Sequence, residues 1–502
     1  MSVFSPLPLG QRIPASPHAV SCSLPTLQAV RGYEEKNPET MRHLTSGYPR
    51  FVVHPFTKQL AAHFLASVAE LAGKTLWLTT SARMAHLLVA QLAAGGFAAS
   101  AFAHEGVHGV AHAPDAKAFA RAKTFLQNIG GFLSSREAED HLVRLKLITA
   151  RHAEPRFTGD ATAEVKRHLL TALPEASARD LILAPCGMNA IHAAFSAAAA
   201  LQAQRGRTIW LQLGWLYLDT IAILKQFTAT PSDYVYVRDA LDFEAIARIF
   251  RHHGTRIAGI IAELPTNPLI QTPDLPRLAA LCRANGALLI LDPSVVSLYN
   301  VNVLPLCDVV VSSLTKYTAS EGDLTAGVSV VNPAGRDADA LRQRIAEESE
   351  PVYAGDLARL AAQIGETETV LAQIHATTAK VAAFLAAHPQ VQDVYWALSE
   401  DSRANYLQVA RRPDATGGMI SFTLRGSMEQ FYDRLRLPKG PSFGMKTTLI
   451  CPFMYLAHYD LVTTPAGIAE LAASRLDPDL MRLCCGTEPA EEIIGALREA
   501  LA

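Results

Sequence analysis

Residues 263–317, ELPTNPLIQTPDLPRLAALCRANGALLILDPSVVSLYNVNVLPLCDVVVSSLTKY, hold the clearest evidence on the architecture of this chain. They contain two apolar runs, ALLIL and VVV, and polar residues follow each run closely. A strand that is apolar at every position is typical of a parallel sheet covered on both faces. Because ligands bind beyond the carboxyl ends of strands in such sheets, Asp292 and Lys316 are the first candidates for a functional site.

Short apolar runs extend this pattern along the middle of the chain. They are residues 181–185, 208–212, 234–237, 257–262, 287–291, 309–312 and 328–331. Helical patterns lie between most of them. This repeated alternation predicts an α/β fold, with a mostly parallel sheet that is covered by helices on both faces.

The 502 residues correspond to about three structural units at roughly 150 residues per domain. Residues 1–58 are rich in Pro and Ser, which favours an extended arm of the kind that reaches a neighbouring subunit. Residues 59–150 combine helical patterns with one short strand, TLWLTT, and indicate a small inserted α/β region. The large domain is predicted over 151–355, and a smaller α+β domain over 356–502.

The composition excludes several classes of protein. Net charge is only −2, from 45 basic and 47 acidic residues, and the chain lacks a long basic run, so we expect no nucleic-acid partner. Seven dispersed cysteines fit neither a disulfide framework nor the spacing of a metal site, which indicates a reduced, cytoplasmic protein without a metal. Asp, Asn and Pro interrupt the most apolar stretch, residues 286–312, so we expect no membrane span.

Asp292 and Lys316 carry opposite charges at the ends of neighbouring apolar runs. Taken singly, each has an ordinary explanation: Asp292 as a turn or capping residue, and Lys316 as a lysine at the edge of the sheet. Together they supply the amine and the anion that pyridoxal phosphate needs, for its aldehyde and for its ring nitrogen. The pair therefore predicts this cofactor.

Other turn and hydroxyl residues also follow the apolar runs that are predicted as strands. Gly187 stands in the turn CGMN before a helical pattern, where backbone N–H groups can bind an anion. The hydroxyls of Ser313 and Thr315 lie close to Lys316 in sequence, and with this turn they are candidates to hold a phosphate. Asn267 lies between two prolines in LPTNP, and on its own it is an ordinary turn residue.

Beyond these single signals, residues 263–317 resemble the matching segment of the transsulfuration enzymes, the Cys/Met-metabolism branch of the fold type I pyridoxal phosphate enzymes. APCGMNAI is similar to their Ser-Ser-Gly-Met phosphate loop, YLDTIAIL to their Tyr-Gly-Gly-Thr element, and PSFGMKTTLICP and LMRLCCGTE to their C-terminal substrate motifs. ASPHAVSCSLPT, GYEEKNPE and SGYPRFVVHP most resemble fungal-type cystathionine γ-synthases. The resemblance covers nearly the whole chain and implies the fold type I transferase architecture.

The resemblance implies a role for each residue that matches a family motif. Lys316 would bind the cofactor and act in catalysis with Tyr217, which stacks on the ring, while Asp292 would keep the ring nitrogen protonated. The other cofactor-binding residues that it implies are Gly187, Met188, Ser313, Thr315 and Asn267, with Tyr48 and Arg50 entering from the neighbouring subunit. For the substrate it implies Arg482, which would bind the carboxylate, and Ser442.

The activity implied by the resemblance is that of a cystathionine γ-synthase in methionine biosynthesis. Cysteine would replace the acyl group of an O-acylhomoserine, with O-succinylhomoserine as the expected donor, in a homo-oligomer whose smallest active unit is a dimer and whose full assembly is a tetramer. A γ- or β-lyase would use the same cofactor residues and stays open, as does a non-catalytic relative. Departures from the family at Cys186, Leu218, Asp219 and Pro441 leave the leaving group and the thiol undecided.

Overall fold

The computed structural model describes residues 4–46 and 51–502 of the chain, and its first segment contains two strands and two helices. These elements are β1 (Arg12–Ile13), β2 (Ser21–Cys22), α1 (Leu27–Glu34) and α2 (Pro38–Met41). Thr26 caps α1, because its hydroxyl accepts a hydrogen bond from the N–H of Ala29. The Pro- and Ser-rich composition favours an extended arm, but the described part of this segment is partly folded.

The inserted region forms a three-stranded antiparallel sheet with helices, in the strand order β3-β5-β4. Its elements are α3 (Pro55–Ser67), β3 (Thr75–Thr79), α4 (Ala82–Ala94), β4 (Ala99–His104), β5 (Val107–His112), α5 (Ala116–Ile129) and α6 (Ser135–Arg144). Of its three strands, the sequence predicted only β3, and it also predicted helical segments at α3, α4 and α5. The alanine-rich β4 is largely exposed, so it lacks the apolar alternation of a typical strand. Glu105 and Gly106, both with positive φ, form the tight turn that joins it to β5.

A buried arginine fastens this inserted unit to the rest of the chain. Arg136, on α6, lies 2.7 Å from Glu154 and 3.1 Å from Asp356, and its Nη1 donates to the carbonyl of Asp323 at 2.8 Å. Its side chain is fully buried. A buried cation in contact with several acids fixes the orientation of the elements that carry them, because breaking it would leave charges unpaired away from water.

The large domain contains a seven-stranded sheet in the order β6-β12-β11-β10-β9-β7-β8. Its elements are α7 (Ala161–Thr171), β6 (Leu181–Ala184), α8 (Gly187–Ala203), β7 (Ile209–Leu213), α9 (Leu218–Phe227), β8 (Tyr234–Val237), α10 (Phe243–His253), β9 (Ile257–Glu263), α11 (Leu275–Asn285), β10 (Leu288–Asp292), β11 (Val309–Ser313), β12 (Gly327–Val331) and α12 (Ala338–Glu348). Only β12 runs antiparallel to its neighbours. The predicted α/β class and the mostly parallel seven-stranded sheet are confirmed.

The C-terminal part carries a four-stranded antiparallel sheet in the order β13-β14-β16-β15. Its elements are α13 (Ala354–Gln363), α14 (Thr367–Ala387), β13 (Val391–Trp396), α15 (Arg403–Val409), β14 (Met419–Leu424), α16 (Met428–Arg434), β15 (Leu449–Pro452), α17 (Phe453–Ala457), α18 (Tyr459–Thr463), α19 (Pro465–Ala473), β16 (Met481–Cys484) and α20 (Ala490–Leu501). The run Ala354–Ala387 is long and apolar enough to cross a bilayer by length and composition alone. Half of its most apolar window is buried against protein, as in a core helix.

The central strands of the large sheet place Asp292 and Lys316, the candidate site residues, at the same edge of the sheet. Every residue of β9 and β10 is buried, as expected for strands covered on both faces. The parallel register pairs Asp292, the last residue of β10, with Glu263, the last residue of β9. The turn after β11 then places Lys316 near the same edge, where ligands bind in this class of sheet.

The N-terminal segment packs on the C-terminal domain of its own chain. The N–H of Leu24 donates to the carbonyl of Lys439 at 2.9 Å, and the Ser21 hydroxyl donates to the carbonyl of Pro441 at 2.6 Å. Tyr432 adds a hydrogen bond from its hydroxyl to the carbonyl of Leu24. Contact with a neighbouring subunit was expected at residues 48 and 50, which lie outside the described residues, so it stays a prediction.

Candidate active site

Lys316 follows the buried strand β11 and lies in a cavity between the large domain and the C-terminal domain. Its side chain is only 7% exposed. The Nζ atom donates a hydrogen bond to the Oγ of Ser442 at 2.7 Å, and it lies 4.6 Å from the ring centroid of Phe443. The amine is therefore held at a defined point in the cavity, which is what a nucleophilic lysine needs.

Asp292 ends β10 and lines the same cavity. Its Oδ1 accepts a hydrogen bond from the N–H of Ser294 at 2.9 Å. Burial raises the pKa of this carboxyl to about 6, against which the hydrogen bonds from Ser294 act. Among the described residues Asp292 forms no ion pair with a cation, so this buried carboxyl can accept a charge-assisted hydrogen bond from a protonated ring nitrogen.

Gly187 and Met188 begin the long helix α8 and line the cavity next to the end of β11. A Cβ atom on Gly187 would lie 2.8 Å from the Cβ of Ser313, so only glycine fits here. The Oγ of Ser313 is buried and has no hydrogen-bond partner among the described residues. A helix N-terminus beside an unsatisfied buried hydroxyl is a suitable binding place for a phosphate group.

Tyr217 and Asn267 line the cavity between β7 and β9. Tyr217 directly precedes α9, and its N–H donates to the Oε1 of Glu263 at 2.5 Å. The Oδ1 of Asn267 accepts a hydrogen bond from Nη1 of Arg482 at 3.4 Å. These contacts place a tyrosine ring and an amide on the large-domain side of the cavity, facing the C-terminal domain.

Arg482 lies on β16 and supplies a positive charge to the cavity. Its guanidinium carbon lies 4.7 Å from the ring centroid of Phe453 and 5.3 Å from that of Phe443, and Nη2 donates to the carbonyl of Ser442 at 3.3 Å. Within the described parts of the chain it forms no ion pair with a carboxylate. A desolvated guanidinium in this state can bind a substrate carboxylate through two parallel hydrogen bonds.

Most residues expected from the sequence meet in one cavity, which contains about 870 Å³ of space not filled by protein atoms and partly open to solvent. Those that line it are Lys316, Asp292, Gly187, Met188, Tyr217, Ser313, Asn267, Ser442 and Arg482. Thr315 is not among the lining residues, because its hydroxyl bonds the backbone of Ala326. Tyr48 and Arg50 lie outside the described residues, so their roles stay predictions.

Residues 150–502, which include the whole of the large and C-terminal domains, match the sequence model of a protein family. Its description is Cys/Met metabolism PLP-dependent enzyme. The chain belongs to this family. That membership confirms the resemblance to the transsulfuration enzymes and the pyridoxal phosphate cofactor.

Relatives of this family member differ in activity. An L-2-amino-4-chloropent-4-enoate dechlorinase/desaturase from Streptantibioticus cattleyicolor is 39% identical over 97% of each chain. A cystathionine γ-synthase from Neurospora crassa is 26% identical over 99% of this chain and 98% of its own length. A solved cystathionine γ-synthase from Xanthomonas oryzae pv. oryzae, at 21% identity and a TM-score of 0.58, covers 68% of this chain and 86% of that chain, which supports the fold.

The cavity fits the cofactor of the family. Lys316 would hold the aldehyde, Asp292 would meet the ring nitrogen, and Tyr217, which lines the same cavity, would stack on the ring. The unsatisfied hydroxyl of Ser313 and the start of α8 at Gly187 can hold the phosphate.

Several lining residues were missed in the sequence. They are Phe51, Ile191, Glu263, Ser294, Val295, Phe443, Cys451, Phe453, Leu456 and Ala457, while Leu218 and Pro441 line the cavity at positions where the sequence departs from the family. Glu263 had a detectable signal, because it is a charged residue at the end of a buried strand, as Asp292 is. The apolar residues had none, since they resemble any other core position.

Proposed function

We propose that this chain is a pyridoxal-phosphate-dependent enzyme that eliminates a halide from an L-2-amino acid carrying halogen at Cγ, of the 2-amino-4-chloropent-4-enoate type. The observation that carries this proposal is the apolar character of the cavity on the side of α17. Phe453, Leu456 and Ala457 lie there, and Leu218 and Phe51 add apolar side chains to the lining of the cavity. Such a wall suits a short, uncharged side chain.

The charges of the cavity support a substrate whose side chain carries no charge of its own. Apart from Lys316, Arg482 is the one cation among the described residues that line it. A succinyl ester carries a second carboxylate in addition to the α-carboxylate, and burying that group without a cation would be costly. Chloride departs as a weakly basic anion, so the site needs no acid to protonate it.

Sequence similarity supports the same choice. Identity to the dechlorinase/desaturase is 39% over nearly the full length of both chains, whereas identity to the fungal γ-synthase is 26%. The alignment with the dechlorinase/desaturase includes the N-terminal segment and the inserted unit as well as the catalytic domains.

The site residues divide the work of an elimination. Arg482 binds the α-carboxylate and orients Cα, while the cofactor, when bound, withdraws electrons from the carbon next to the amine. Nζ of Lys316, steered by Ser442, moves protons at Cα and Cβ. In the net reaction Cβ gives up one proton and Cγ loses chloride, so the substrate loses HCl and gains one unsaturation.

Cystathionine γ-synthesis is the second candidate, because the Neurospora crassa enzyme aligns with 99% of this chain. In this reaction cysteine replaces the acyl group of O-succinylhomoserine. A γ- or β-lyase would use the same cofactor residues. All these reactions begin with removal of the proton at Cα. The γ-reactions then differ in what leaves Cγ and in what enters there, whereas a β-lyase expels a group from Cβ.

One incubation series distinguishes the candidates. The purified enzyme, loaded with pyridoxal phosphate, is supplied with L-2-amino-4-chloropent-4-enoate, or with O-succinylhomoserine with and without cysteine. We expect chloride release to have the highest kcat/KM, and Lys316→Ala to abolish it. Cystathionine formation with a higher kcat/KM than chloride release would overturn the proposal.

We also propose a homo-oligomeric, cytoplasmic enzyme. All seven cysteines are buried and none of them is in a disulfide bond, which supports a reducing compartment. Light scattering of the purified enzyme would measure the assembly, with a dimer or a tetramer as the expected result.

A further inference from the structure

Glu263 is a buried acid at the centre of the site to which the sequence motifs assign no role. It is the last residue of β9, is 4% exposed and lines the cavity. In the register of the parallel strands it is the direct neighbour of Asp292. Two carboxyl groups therefore lie side by side, at the place where the cofactor ring is expected.

The two carboxyl oxygens of Glu263 differ in their hydrogen bonding. Its Oε1 accepts the N–H of Tyr217 at 2.5 Å, while its Oε2 has no hydrogen-bond partner among the described residues. No lysine or arginine nitrogen of those residues forms an ion pair with it. A carboxylate in this setting would keep a full negative charge in a poorly solvated place.

The groups that face Glu263 act in opposite directions. Burial, followed by the negative charge of Asp292 on β10, raises the pKa of Glu263 well above its usual value. The N–H groups of Tyr217 and Asn267 and the positive charge of Arg482 on β16 act against this rise, and burial prevails. Neighbouring carboxyls of this kind share one charge, because ionising both is costly.

We propose that Glu263 is a positioning residue that keeps its proton, so that it anchors Tyr217 through the main chain without neutralising either charge of the site. Asp292 then keeps its negative charge for the ring nitrogen of the cofactor. Arg482 keeps its positive charge for the carboxylate of the substrate. The inference depends on the shared cofactor chemistry, and it holds for any of the candidate substrates.

Infrared spectroscopy tests the protonation directly. Enzyme labelled with [13C]glutamate, with and without cofactor, should show the C=O stretch of a protonated glutamic acid at about pH 9, well above the usual range for Glu. Glu34 and Glu137, whose pKa values are raised by burial to about 7, are ionised at that pH. We expect Glu263→Gln to remove the band. Absence of such a band in the wild-type enzyme overturns the proposal, even if the variant does not fold.

The visible absorption of the bound cofactor gives a second, independent measurement. Gln is uncharged like protonated Glu and can still accept the N–H of Tyr217, so Glu263→Gln should leave the pH midpoint of the spectrum unchanged. Removal of an ionised neighbour would move that midpoint by about one unit or more, and this result would refute the proposal. Glu263→Ala, which cannot hold Tyr217, should weaken cofactor binding.

Discussion

At the scale of single residues, the role of Arg482 can be tested directly by substitution. Arg482→Lys keeps the positive charge but loses the planar fork that binds a carboxylate through two hydrogen bonds. The loss of charged hydrogen bonds worth about 1.5–3 kcal/mol should raise KM about 10- to 100-fold. Steady-state kinetics measures the change in KM. Arg403→Lys, at an exposed position, is the matched control and should leave KM unchanged. An unchanged KM would assign the carboxylate to another residue.

Asp292 gives a prediction on the pH dependence of stability. Burial raises its pKa from 3.8 to about 6, so the folded protein without cofactor binds this proton more tightly than the unfolded chain does. This contribution to stability is fully present below the unfolded pKa and is lost as pH rises toward 6. A shift of about two units corresponds to about 3 kcal/mol.

Asp292→Asn should therefore be more stable than wild type by about 3 kcal/mol at about pH 8 in the cofactor-free state, with a difference that shrinks below pH 6. Urea unfolding at several pH values measures the free energy of unfolding of both proteins. The same variant should bind pyridoxal phosphate more weakly, because the ring nitrogen loses its anion. A destabilised variant at pH 8 would contradict this account of Asp292.

At the scale of elements, the start of α8 depends on the absence of a side chain at Gly187. A Cβ there would press on Ser313 at 2.8 Å and push the helix away from β11. Gly187→Ala should raise the dissociation constant of the cofactor at least about tenfold, which is about 1.4 kcal/mol. Gly495→Ala, on α20 with no atom near its added Cβ, serves as the control and should not change cofactor affinity. Fluorescence titration with pyridoxal phosphate measures both.

Elements differ in how much of them the sequence could predict. The strands of the large sheet are apolar at nearly every position because both faces are buried, so all seven were found. In contrast, β4 is exposed and rich in alanine, and its pairing with β5 depends on a two-residue turn, Glu105–Gly106, without an Asn or Asp. Similarly, Arg482 interrupts β16 and β15 ends in Pro452, so neither is a continuous apolar run like the strands of the large sheet.

The candidate site was predictable where a polar residue follows a buried strand. Lys316 and Asp292 carry that signal, and so does Glu263, which ends β9 directly before the turn that contains Asn267. The wall formed by Phe453 and Leu456 could not be predicted, since apolar residues at a cavity and in a core look alike in a sequence. Its position depends on the docking of two domains.

At the scale of the whole molecule, the sharing of sites between subunits can be tested by mixing two inactive variants. If Arg50 enters from the neighbouring subunit, co-expressed Lys316→Ala and Arg50→Ala chains form mixed dimers with one complete site each. Random pairing should restore about a quarter of wild-type activity. A mixture that stays inactive, although mixed dimers are isolated through different tags, would place Arg50 in the site of its own chain.

The contact of Ser21 with Pro441 has a consequence for the order of folding. These residues are 420 positions apart in the chain, and the hydrogen bond between them supports the backbone next to Ser442, the partner of Lys316. Leu24 and Val30 pack against residues of the C-terminal domain. During synthesis these two side chains therefore stay exposed to solvent until that domain has emerged from the ribosome. The N-terminal segment can therefore dock only after the C-terminal domain has been made, and until then its apolar residues are available for aggregation.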